Sequence, residues 1–130
     1  MIFADASALI AIITGEPGAD ALADALQADP VRRCSAVSVW ETVAGLSFSY
    51  ASPLEDARVQ AKRFLDAGEF EFVPIGEAEY AIALEARARF GKGRHPAGLN
   101  MGDCFAYACA KANHATLLYK GSDFAKTDLA

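Results

Sequence analysis

The sequence has only three cysteines, Cys34, Cys104 and Cys109, and their spacing matches no zinc site. So few, in an odd number, exclude a disulfide scaffold and read as buried thiols in a reducing compartment. Histidine is scarcer still. His95 and His114 are the only two, so a serine–histidine–acid triad would have to recruit one of them. His95 lies in a Gly/Pro loop where solvation is expected, and His114 reads as a helix C-terminal residue favoured by the helix dipole. The chain has no glycine-rich phosphate loop and no dinucleotide fingerprint. No apolar run approaches the roughly 18 residues that cross a bilayer, and Met1-Ile2-Phe3-Ala4-Asp5 meets an acid too early for a secretory signal. A cytoplasmic chain with no membrane association is expected.

What is present is enough for one ordinary domain over residues 1–130, with 53% hydrophobic and 22% charged residues. The net charge of −5 makes the whole chain no sink for phosphates, but the charge is segregated. Residues 1–86 hold 5 Lys/Arg against 14 Asp/Glu, whereas residues 87–130 hold 7 against 3. Much of the basic excess lies in Arg87, Arg89, Lys92 and Arg94, with His95 beside them. Such segregation points to a polyanion or charged partner meeting one face.

Two periodicities alternate along the chain. Ile2–Ala4, Cys34–Val37, Phe70–Ile75 and Ala115–Tyr119 read as buried parallel strands. Between them, Ala21, Leu22 and Leu26, then Val39, Val43, Leu46 and Tyr50, follow helical spacing. So do Leu54, Ala57, Ala61 and Phe64, and finally Phe105, Ala108, Cys109 and Ala112. Ser52-Pro53-Leu54-Glu55 reads as a capping box, Gly68 as the stop of that helix, and Gly91 as the end of a helix over Ala78–Phe90. The fold class is α/β, a layered sandwich around a largely parallel sheet.

Four acids fall at element junctions. Asp5 ends the first strand, Glu41 lies one turn into the helix after the second, Asp103 opens the last long helix, and Asp123 follows the last strand. In an open parallel sheet the carboxyl ends of strands and the starts of following helices share the rim where ligands bind. Each acid also has a local explanation. Ser38-Val39-Trp40-Glu41 is itself a capping pattern, and Asn100 caps a helix whose third residue is Asp103. Jointly, the four suit metal-dependent hydrolysis. Several carboxylates within a few ångströms cannot all stay ionised without a cation, and hard oxygen ligands select Mg²⁺ or Mn²⁺.

These residues resemble the PIN-domain family, most closely its VapC-type toxin ribonucleases. The resemblance runs from Ile2-Phe3-Ala4-Asp5-Ala6-Ser7-Ala8 to Tyr119-Lys120-Gly121-Ser122-Asp123-Phe124, and is most specific over Leu99-Asn100-Met101-Gly102-Asp103-Cys104-Phe105-Ala106-Tyr107-Ala108. It implies a Rossmann-like α/β/α sandwich and a Mg²⁺- or Mn²⁺-dependent endoribonuclease acting on a tRNA or ribosomal RNA loop. Asp5, Glu41, Asp103 and Asp123 match the family's four acids in order, with Asp5 and Asp103 as principal metal ligands. Ser7, Asn100 and Ser122 stand in supporting positions. Ser122 occupies a place where relatives often carry another acid, leaving one or two metals open, and Asp128 reads as a terminal surface charge. Arg89, Lys92 and Arg94 are expected to hold RNA phosphates.

By the same resemblance the partners are RNA, a second copy of the chain, and a cognate VapB-like antitoxin whose flexible tail places an Arg among the carboxylates. Trp40, Phe48 and Tyr50 could join that contact, although core packing is the expectation for each alone. The competing function is a non-catalytic PIN-like module that binds RNA or protein. A Mg²⁺-dependent phosphatase of haloacid-dehalogenase type ranks last, because it needs a second Asp where Ser7 stands.

Overall fold

The computed structural model describes residues Met1–Ala130. Strands β1 (Ile2–Ala4), β2 (Arg32–Cys34), β3 (Glu71–Phe72) and β4 (Thr116–Leu118) form one parallel sheet in the order β3-β2-β1-β4. Parallel neighbours need crossovers, and helices supply them. Helices α1 (Ala6–Thr14) and α2 (Ala19–Ala28) join β1 to β2, and α3 (Ala36–Ser49) and α4 (Leu54–Ala67) join β2 to β3. The last crossover carries α5 (Glu77–Phe90) and α6 (Met101–Ala112), and a short 3-10 turn (Phe124–Lys126) follows β4.

Successive strand residues face opposite ways, and β1 uses both faces. Phe3 enters a core with Phe90, Leu99 and Tyr107 on the α5–α6 side, whereas Ala4 joins Leu9, Cys34 and Leu65 on the other. The sheet is therefore the middle layer, with α5 packed on α6 on one side and α1 packed on α2, α3 and α4 on the other. No helix is long and apolar enough to cross a membrane.

Several boundaries differ from the sequence expectation. Strand β2 starts and ends earlier, because the Ser35 hydroxyl accepts the Ser38 N–H at 3.1 Å and so begins α3 at Ala36. Its polar residues hid it: Arg33 reaches across to Glu71 of the edge strand, Nη2 to Oε2 3.4 Å. Strand β3 is only two residues long, cut short before Pro74, which has no N–H for a ladder. Helix α1 gave no amphipathic stripe because it is apolar nearly all round. The Ser52 capping box does not form. Pro53 is the N-cap of α4, and Glu55 pairs instead with Arg58 at 3.1 Å.

The basic segment after α5 is closed at its base. Leu99 N–H donates to the Phe90 carbonyl at 2.9 Å and Lys92 N–H to the Leu99 carbonyl at 3.0 Å, making a parallel bridge between Gly91 and Leu99. Within it, His95 is packed rather than solvated. Its ring meets Phe90 edge-on at 5.2 Å, and its Nδ1 accepts the Ala97 N–H at 3.0 Å. His114 is exposed, with φ 52° just beyond the end of α6, as expected of a C-terminal residue.

Candidate active site

Asp5 leaves β1 in an extended conformation and caps α1. Its Oδ2 accepts the Ser7 N–H at 3.0 Å and the Ser7 hydroxyl at 2.6 Å. Its own N–H donates to the Leu118 carbonyl at 2.9 Å, which ties it to the end of β4. The residue is only 4% exposed, and that burial pushes its pKa up against the opposing hydrogen bonds from Ser7.

Glu41 stands one turn into α3. The N-terminal cap of that helix is the Ser35–Ser38 pair, so Ser38 and Glu41 do not form the capping box that their spacing suggests. The Glu41 side chain instead lies against Gly102 of α6, where a β-carbon would overlap its carboxylate. Desolvation first, then the charges of Asp5 and Asp103, raise its pKa from 4.5 to about 7.

Asp103 has two tasks. Asn100 Oδ1 accepts the Asp103 N–H at 2.9 Å, and Asp103 Oδ2 accepts the Asn100 N–H at 3.1 Å, so the pair caps α6 reciprocally. Burial raises the Asp103 pKa to about 6, the charges of Asp5 and Asp123 adding to it against the Asn100 hydrogen bond. Asp123, exposed at the start of the 3-10 turn, acts on Asp5 and Asp103 but not on Glu41. Asp5 and Asp103 therefore form the centre of the group, with Glu41 and Asp123 on its flanks.

No Lys or Arg of the chain forms an ion pair with any of the four. The side chains are not gathered into a finished cage, since no three of them meet around one point. They nonetheless fit a hard divalent cation. The donors are carboxylate oxygens, their mutual repulsion is uncompensated, and Gly102 leaves the Glu41 carboxylate room at the α6 start.

The PIN domain family model matches residues 2–129. The chain belongs to the PIN-domain family. It is 40% identical over 126 residues to a protein named Ribonuclease VapC from Mycolicibacterium smegmatis, covering 97% of this chain and 95% of that one. It is 42% identical over 124 residues to Ribonuclease VapC28 of Mycobacterium tuberculosis, covering 95% and 91%. A VapC ribonuclease of Rhizobium meliloti shares 38% over 141 residues, 99% of each chain. The crystal structure of Mycobacterium tuberculosis VapC20, titled a sarcin-ricin loop cleaving toxin, superposes with a TM-score of 0.74 at 16% identity, covering 96% of this chain and 93% of that one. The last likeness is one of fold.

Within this PIN fold the other candidate residues divide. Ser7 and Asn100 each hold one of the central acids, while Ser122 is exposed with no side-chain hydrogen bond. Asp128 is committed elsewhere, to Lys111 at 2.6 Å and the Tyr107 hydroxyl at 2.8 Å. Of the basic run, Arg87 shares a mostly apolar cleft with Asn100 and Met101 at the start of α6. Arg89 turns away, its guanidinium 4.6 Å from the Phe90 ring centre and its side chain lining a separate cleft with Tyr107 and Lys111. Lys92 and Arg94 are exposed on the loop closed by Gly91 and Leu99. Sequence reasoning missed the service of Gly102, whose one signal is a glycine inside a helical first turn. Trp40 and Phe48, expected in the core, are 70% and 91% exposed.

Proposed function

We propose that the chain is a Mg²⁺- or Mn²⁺-dependent endoribonuclease in which Asp5 and Asp103 are the principal metal ligands and Glu41 and Asp123 complete the pocket. One observation carries this reading. Four acids at four separate element junctions are coupled by charge through Asp5 and Asp103, with no cation of the chain to offset them. When bound, such a cation supplies an acidified water and neutralises charge developing on the phosphoryl oxygens. Ser7 fixes the rotamer of Asp5 through two hydrogen bonds, and Asn100 fixes that of Asp103. Glu41, half-protonated near neutrality, can take or return a proton at its carboxylate beside Gly102. Arg87, whose cleft includes the Asn100 that caps α6, and the exposed Lys92 and Arg94 offer positive charge to phosphates.

The partners follow from the same reading. A VapB-type antitoxin silences the enzyme by setting an Arg among the carboxylates, since a guanidinium pairs bidentately with them and stays charged at every relevant pH. Ordering a flexible tail needs apolar contact as well. A groove of about 520 Å³ lined by Val39, Trp40, Val43, Leu54 and Phe72 offers it. The working form is a homodimer in the cytoplasm. The test is a panel of single-stranded RNA, single-stranded DNA and a phosphomonoester, each with Mg²⁺, with Mn²⁺ and with chelator. Internal cleavage of RNA alone, abolished by chelator, is expected. Tight RNA binding without cleavage in any metal would make the chain a binding module instead.

A further inference from the structure

A polar chain leads from the acidic pocket to the far ends of α1 and α3. The Ser7 hydroxyl donates to Asp5 Oδ2 at 2.6 Å and accepts the Lys120 N–H at 3.0 Å. The ammonium of the same lysine pairs with Glu16 Oε1 at 2.6 Å, and the Tyr50 hydroxyl donates to Glu16 Oε2 at 2.5 Å. Three remote segments meet at one carboxylate.

Two of the three anchors are tied by local backbone hydrogen bonds. Gly15 ends α1 in the left-handed region at φ 70°, and both its N–H and that of Glu16 (2.9 Å) return to the Ala11 carbonyl. Such a closure fixes the backbone of the residue after the glycine. Tyr50 is the C-cap of α3, its N–H bonded to the Leu46 carbonyl at 3.3 Å. The third member is Lys120, on the segment between β4 and the 3-10 turn. It precedes Gly121, whose φ of 103° turns the chain toward Ser122 and Asp123. Lys120 is thus held twice, by its amide at Ser7 and by its ammonium at Glu16, immediately before the turn that presents Asp123.

An isolated exposed ion pair orders little. This one differs in having its carboxylate saturated from two directions, and in sharing a residue with the hydrogen bond that reaches Asp5. We propose that Glu16, Tyr50 and Lys120 form a clamp that positions the Asp123 segment against Asp5, with Glu16 as a positioning residue for metal binding. The proposal rests on the reading of the acidic pocket given above. Glu16 touches neither metal nor RNA. It acts through Lys120.

The test uses the full chain with Glu16→Ala, Tyr50→Phe and their combination, and with Glu16→Gln as the conservative variant. Three quantities are read: amide exchange at Lys120, Mn²⁺ affinity by calorimetry, and kcat and KM on a single-stranded RNA. In Glu16→Ala the Lys120 amide should exchange about tenfold faster, Mn²⁺ affinity and kcat should fall about tenfold, and KM should stay within about twofold. Glu16→Gln should recover part of the loss. The double variant should loosen Lys120 no more than Glu16→Ala alone, because Tyr50 reaches Lys120 only through that carboxylate, its other polar contact being the Thr14 hydroxyl of α1 at 3.2 Å. Unchanged exchange at Lys120 overturns the clamp whatever the metal does. Faster exchange with unchanged Mn²⁺ affinity and kcat reduces the trio to a structural contact, and a rise in KM alone makes Lys120 an RNA contact instead; either result overturns the positioning role. If the wild-type chain binds no Mn²⁺ while Glu16→Ala still loosens Lys120, the pocket reading fails and its positioning role with it, leaving only the tether.

Discussion

The carboxylate of Glu41 rests against Gly102, with no room between them for a β-carbon. Helix α6 has no side chain at this point, and the acid of α3 takes that space. Alanine is a better helix former than glycine by about 1 kcal/mol, and the obstructing group is the far end of a flexible side chain. Gly102→Ala should therefore fold with an unchanged or higher melting temperature while displacing Glu41. RNA cleavage should fall about 10-fold or more. A variant that melts higher and cleaves as well as wild type would remove Glu41 from the working pocket.

Asp5→Asn and Asp103→Asn separate charge from shape. Each amide keeps an oxygen for the existing cap, from Ser7 in one case and from the Asn100 N–H in the other. Each also removes a charge that its neighbours repel. Cleavage should drop about 100-fold or more, and the metal-free melting temperature should hold or rise. A side-by-side assay of thermal melting and RNA cleavage decides it. Full activity in either variant would contradict the ligand assignment.

The raised carboxyl groups predict an unusual pH dependence. Between the ordinary value of 4.5 for Glu41 and its folded value of about 7, the folded chain binds more protons than the unfolded one. Asp103 behaves likewise between 3.8 and about 6. The stability these groups contribute is complete below their unfolded pKa values and is lost as pH rises through 6 to 7 in metal-free protein. Metal competes with those protons, so Mn²⁺ should raise the melting temperature more at pH 8 than at pH 5. Melting curves at the two pH values, with and without Mn²⁺, measure the difference. An equal Mn²⁺ effect at both would place the binding site away from these acids.

Arg87→Ala should weaken binding of single-stranded RNA and lower the slope of log affinity against log salt by about 0.7. Arg89→Ala should matter less, because that guanidinium is spent on the Phe90 ring. Titrations at several salt concentrations compare the two. A larger loss for Arg89 would move the RNA path to the Tyr107 side of α5.

The parallel sheet and the order of its acids were legible because strand-end carboxylates and apolar runs are local signals. The second strand has no apolar run to mark it, for a physical reason: Arg33 is met by Glu71 of the neighbouring strand and Arg32 donates to the Gly68 carbonyl at 3.2 Å. Helix α1 shows no periodicity because apolar residues occupy nearly every side of it. At the site, Asp5 and Asp103 could be read from junction and cap patterns. The seat of Glu41 could not, because it depends on α3 meeting α6, a contact 61 residues apart in sequence. The Glu16–Tyr50–Lys120 contact is hidden for the same reason.

The bridge between Gly91 and Leu99 isolates the exposed tip of the segment it encloses, Lys92 to Arg94, from the frame. Because the chain enters and leaves through the same pair of backbone bonds, and His95 and Ala97 keep the inner part packed on the core, the exposed tip at Lys92, Gly93 and Arg94 can change in charge without shifting Asn100 or the helix it starts. On the proposed reading, recognition and chemistry then occupy separate parts, one the exposed tip and the other the frame beneath. Exchanging the tip for a neutral Gly/Ser segment should leave Mn²⁺ affinity within about twofold while changing which RNAs bind. A parallel loss of metal affinity would show that tip and frame are a single unit.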